Sequence, residues 1–240
     1  MSSTWVMGFL ASTIGMSSGG LFALLLKGFQ RSISTIFALC AGMMVGLISL
    51  DILPEGVEVG GWVSSVVGVL AGVVLFQLAD KYTHKVVVIT ENEQRDTLLH
   101  SGILLSVSIA IHNLPMGIVL GASTKESLSQ SMMTTIILHN IPEGIAVFMP
   151  LIMAGFGAGS LLLGTLVVSV PVGIGALIGQ QFGMGVPWAL AVIIGIAIGV
   201  VIVVTIKEIF LEAVRKSSVF YASVISLLGF LLIFAYLYYV

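Results

Sequence analysis

The sequence predicts an all-α, polytopic membrane protein: an eight-helix transmembrane bundle built with an inverted repeat, forming a single transmembrane domain over residues 1–240. Two observations carry this prediction. Of the 240 residues, 58% are hydrophobic and only 8% are Asp, Glu, Lys or Arg, against roughly 25% charged residues in soluble domains. The few charges are also spaced so widely that the intervals between them hold the ~20 apolar residues a helix needs to cross a hydrocarbon core. An ordinary soluble enzyme is excluded, because a water-facing surface needs far more charge than this chain has. The bilayer is therefore the expected solvent and partner. A net charge of -2 with no Lys/Arg block gives no footing for nucleic acid. Cys40, the single cysteine, can form no internal disulfide and reads as a packing residue.

The spans follow in order. Residues 5–26, 33–53, 60–79 and 98–124 accommodate the first four, and 128–154 a fifth, interrupted only by Glu143. From Gly144 to Ile206 no Asp, Glu, Lys or Arg occurs. That stretch is too long for one helix, and the turn-prone segments Gly155 to Gly159 and Gln180 to Pro187 divide it. Spans at 160–179 and 188–206 result, with the eighth at 218–239. The N-terminus lacks a positive n-region and a clear cleavage site, so the first span is expected to remain in the mature protein. Lys27, Arg31, Lys81, Lys85, Arg95, Lys207, Arg215 and Lys216 fall on one side if both termini are outside, leaving Lys125 alone on the other. Cytoplasmic loops retain Lys and Arg, which gives a multi-pass cell-membrane protein with both termini outside and a cytoplasmic loop at 80–97. Glycine pairs such as Gly68/Gly72 and Gly175/Gly179 are expected to let helix backbones approach closely.

A polar motif is written twice inside the apolar sequence. Span 4 contains Ile111-His112-Asn113-Leu114-Pro115-Met116-Gly117, and span 5, 27 positions on, Leu138-His139-Asn140-Ile141-Pro142-Glu143-Gly144. Polar groups at mid-span are costly and mark function or a well-matched polar cluster. His139 and Glu143 are four apart and share a helix face, as do His112 and Met116. Two imidazoles, a carboxylate and a thioether can thus converge between two helices, a donor set suited to a borderline-soft divalent ion such as zinc. Pro115 and Pro142 free the carbonyls four residues earlier, while Asn113 and Asn140 can donate oxygen or orient the imidazoles. The alternative is an interhelical hydrogen-bond cluster without metal. The duplication favours the metal site.

These residues resemble the ZIP family of divalent-metal transporters, whose fourth and fifth spans carry His-Asn-x-Pro-Glu-Gly and related motifs. The resemblance implies zinc, iron, manganese or cadmium moving toward the cytoplasm through a site between spans 2, 4, 5 and 7. It also implies that His112, His139 and Glu143 are ligands, with Asn113 and Asn140 close by. Met44 resembles the methionine that span 2 contributes in some members. Two positions depart from the family pattern: Met116 stands where a span 4 glutamate is usual, and Val170 where many members have one in span 6. With two carboxylates fewer, one central metal is expected rather than a binuclear pair. Zinc or another divalent ion is the expected transported substrate, with no cofactor. A homodimer is compatible with these residues but not specified by them.

A second echo links span 2 to span 7. Gly42 is followed by Asp51 and Glu55, and Gly199, at the same intervals, by Glu208 and Glu212. In the topology above these acid pairs lie at opposite faces, as an inverted repeat requires. Asp51 and Glu55, with Glu58, are candidates for an entrance; Glu208 and Glu212, with His84, for an exit. Solvated helix ends are the alternative reading. His100 is expected at the interface. Two rival functions remain: an intramembrane metal-dependent hydrolase, whose expected His-Glu-x-x-His helix is absent, and a metal-responsive membrane protein without flux.

Overall fold

A computed structural model of the protein describes residues 4–26, 33–83, 92–122, 126–182 and 186–239, and every regular element among them is helical. In chain order these are α1 (Thr4–Leu26), α2 (Ile33–Leu47), the π-helical π1 (Ile48–Ile52), α3 (Leu53–Thr83), α4 (Glu93–Ala122) and α5 (Glu126–Met153). They are followed by α6 (Ala158–Phe182), α7 (Pro187–Val204), the π-helical π2 (Thr205–Phe210), α8 (Leu211–Arg215) and α9 (Val219–Tyr239).

Among the described residues, seven helical stretches are long and apolar enough to cross a membrane. One of them, Ile33–Lys81, has 49 residues, or about 74 Å of helix, more than twice the ~30 Å hydrocarbon core. It is divided at Gly61, whose φ of 83° and ψ of 166° lie in a region open essentially to glycine alone. The chain reverses there: Gly56 before the break and Gly68 after it face the same level of α7, at Ile194 and Gly195. The stretch therefore supplies two spans, and eight arms make the bundle. The break falls just beyond the connection expected at 54–59, so Glu55 and Glu58 are helical, as is Asp51 in the expected end of span 2. Likewise α3 runs to Thr83 and α4 begins at Glu93, shortening the expected 80–97 connection. Asn92 caps α4, its Oδ1 accepting the Arg95 N–H at 3.0 Å, as an N-cap residue should.

Close backbone packing sets the architecture. Gly68 and Gly72 lie against Gly195 and Gly199 of α7, and Gly175 and Gly179 against the backbone around Gly117 and Ile118 of α4; a side chain at any of these positions would meet main-chain atoms. The most extensive interfaces are α3 with α7, α4 with α6, α1 with α5 and α2 with α9. These pair off under one exchange, α1 for α6, α2 for α7, the second arm of α3 for α9, and α4 for α5. The two halves are therefore related as inverted repeats. The π-helical segments obey the same relation, since Asp51 in π1 and Glu208 in π2 are 157 positions apart and each is the fourth residue of its segment. Of the seven apolar stretches, the one in α5 is the most buried and the least hydropathic.

Candidate metal centre

Helices α4 and α5 continue through Pro115 and Pro142, and each carries one histidine into the centre. His112 and His139 are 1% and 2% exposed, and Glu143 is fully buried. His112 Nε2 lies 3.0 Å and His139 Nε2 2.8 Å from the same oxygen, Glu143 Oε1. The rings stand nearly edge to face, 5.5 Å between centroids. Among the described residues these three form the one group of His, Cys, Asp or Glu whose ligand atoms lie within 4.8 Å of one another. Both Nε2 atoms are thus paired with the carboxylate, while Nδ1 of each ring and Glu143 Oε2 have no hydrogen-bond partner. Two imidazole nitrogens and a carboxylate oxygen converging in a buried site match the donor chemistry of a divalent cation.

The asparagines act on the helices rather than on the rings. Asn113 Nδ2 donates to Val168 O of α6 at 2.8 Å, and Asn140 Nδ2 to Ile136 O at 2.7 Å. Ser12 of α1 supports Asn140: its hydroxyl reaches Asn140 Oδ1 at 3.3 Å and Ser169 Oγ at 3.1 Å. Met44 is fully buried and its sulfur accepts the Thr205 hydroxyl at 3.7 Å, joining α2 to the first residue of π2. Met116 is half-buried and packs against the main apolar core.

The acids of π1 and the first arm of α3 lie near the centre. Asp51 takes a side-chain hydrogen bond from Thr135 and lies within electrostatic range of His139, and Glu55 sits beside both Asp51 and Glu58. At the other end, Glu208 has Asp80, Lys207, Arg215 and Glu212 as charged neighbours. Lys207 pairs with Asp80 at 3.7 Å, and Glu212 with Arg215 at 3.6 Å and Lys216 at 3.2 Å. Glu208 and Glu212 line a pocket of about 80 Å³ whose walls come from α2, α4, α5 and the π2–α8 segment. His84 lies outside the described residues. Sequence reasoning missed Ser12, Thr135, Ser169 and Thr205; for Thr135 the signal was its position one turn before His139, and for Ser12 and Ser169 their separation of 157 positions.

A family model described as ZIP Zinc transporter matches residues 89–236, more than half of the chain. A protein of Arabidopsis thaliana named "Putative zinc transporter" is 29% identical over 193 residues, covering 75% of this chain and 30% of that protein. The chain thus spans less than a third of that relative's length.

Proposed function

The chain belongs to the ZIP zinc transporter family, and on that premise we propose that it carries a divalent transition-metal ion, zinc foremost, across the membrane toward the cytoplasm. The observation that supports this reading is the buried convergence of His112, His139 and Glu143, whose ligand atoms lie within 4.8 Å of one another. Two nitrogens and a carboxylate favour zinc or cadmium over magnesium and calcium, which need more oxygens than this cluster offers. Asp51, Glu55 and Glu58 form the entrance and Glu208 and Glu212 the exit, with the protein in the cell membrane and both termini outside. All three central donors come from one chain, so a second copy is not needed to complete the site. The family is one of transporters, which argues against the hydrolase alternative.

The test is metal entry into proteoliposomes for zinc, iron, manganese, cadmium and copper. Zinc uptake by the wild-type protein that is abolished in Glu143→Ala is the expected result. Absence of flux for every metal would sink the transport reading and leave a metal-responsive protein.

A further inference from the structure

We infer that Leu105 is the inner gate of the pathway and that the Ser108 hydroxyl behind it is the transit donor between the His112 centre and the Glu208 pocket. The inference rests on the transport reading above. Ser101, Leu105, Ser108 and His112 follow one another at intervals of four, three and four residues, which places them on one face of α4. Ser101 and Leu105 line the pocket that holds Glu208 and Glu212. Leu105 is only 1% exposed, and of the α4 residues that line the pocket it is the one nearest along the helix to Ser108 and His112.

One turn further along α4, Ser108 is fully buried, and its Oγ has no hydrogen-bond partner. A helical serine commonly donates to the carbonyl one turn back, as Ser106 does to Gly102 O at 2.7 Å. Ser108 does not. His112 follows after about 6 Å of helix rise. Ser108 Oγ is therefore a polar atom without a use in the resting packing, set along α4 between His112 and the pocket that Glu208 and Glu212 line together with Lys207, Arg215 and Lys216.

The repeat gives an independent reason. Ser108 and Thr135 are equivalent positions, each four residues before its histidine, and Glu208 is the equivalent of Asp51. On the outer side the pair is joined, since Thr135 bonds Asp51. On the inner side Ser108 bonds nothing, and the pocket-lining residue that precedes it on its face of α4 is Leu105. An apolar constriction of this kind excludes hydrated ions, so passage to Glu208 requires Leu105 to give way.

Thiol labelling tests the gate. In a Cys40→Ala background, Ser108→Cys is exposed to a small, water-soluble methanethiosulfonate in nanodiscs. Without metal, labelling is slow with Leu105 present and about tenfold faster with Leu105→Ala, as expected when a hydrophobic constriction is opened. Leu104→Ala, which removes a neighbouring side chain also only 2% exposed, leaves the rate unchanged. Unchanged labelling in Leu105→Ala, or equal acceleration in Leu104→Ala, overturns the gate. Flux tests the hydroxyl: zinc uptake falls about tenfold in Ser108→Ala, a loss typical of an outer-shell donor, and Ser108→Thr restores it. Undiminished uptake in Ser108→Ala overturns the transit role. The metal-free labelling reads the gate even if the protein moves no zinc, so failure of the transport reading is distinguishable from failure of this one.

Discussion

Ser12 and Ser169 meet at 3.1 Å between Oγ atoms, each fully buried, and they are the same position of the two repeats, 157 residues apart. A residue that contacts its own equivalent lies on the pseudo-twofold axis. The axis thus passes beside Asn140, which the Ser12 hydroxyl also reaches, and the repeat relation is built into the support of the metal centre.

That support is testable through Ser12→Ala. The substitution removes the hydroxyl that holds Asn140 Oδ1 while leaving all three proposed ligands. Zinc affinity, measured by isothermal titration in detergent, should weaken about tenfold, at the low end of the effect of outer-shell partners. Unaltered affinity would show that Asn140 is positioned by its bond to Ile136 alone.

Glu143→Gln separates folding from binding. A ligand that binds only the folded state stabilises it by about 2.7 kcal/mol at a hundredfold excess over Kd. The wild-type protein should therefore unfold at a higher temperature with zinc than with chelator, whereas Glu143→Gln should show little zinc-dependent shift. An equal shift in both proteins would place the bound zinc elsewhere.

The number of ions at the centre is a further expectation. Three donors within 4.8 Å, with Met116 packed into the apolar core and Val170 exposed, favour one ion. Cadmium-soaked crystals should show one fully occupied anomalous peak beside Glu143. Two full peaks within about 5 Å, a spacing near that of two-metal sites, would contradict this.

Three glycine substitutions distinguish conformation from space. Gly61→Ala meets no atom within 4 Å, yet its backbone conformation should make it cost about 1–3 kcal/mol. Gly195→Ala puts a Cβ 2.5 Å from Ser65 O and should cost about 1–3 kcal/mol by overpacking. Gly157→Ala has open space and no positive φ, and should stay within about 0.5 kcal/mol. Thermal unfolding in detergent reads all three.

The membrane class was legible because charge density alone identifies the solvent, and the duplicated His-Asn motif because four-residue spacing on a helix is a geometric law. The break between spans 2 and 3 was misplaced for a physical reason. Glu55 and Glu58 look like loop residues in an apolar chain, but the helix that holds Asp51 runs on through both, and the turn is made by Gly61. Thr135 and Ser12 were not legible as site residues, since a lone hydroxyl in an apolar helix ordinarily satisfies itself on its own backbone. What they do depends on which helix lies opposite, and for Ser12 that helix is more than a hundred residues away. The expectation that the asparagines orient the imidazoles met the same obstacle: their amides instead tie down backbone carbonyls of α5 and α6.

The burial of α5 bears on how the protein is made. This helix holds His139, Asn140 and Glu143, and its apolar stretch is the least hydropathic of the seven. Translocation machinery judges each segment by its own transfer free energy, and a carboxylate, an imidazole and an amide near mid-helix weigh against release into lipid. The partners that shelter those groups are α1 and α4, both synthesised earlier. Because both neighbours precede α5 in the chain, the groups proposed to bind the metal have their packing partners made before them.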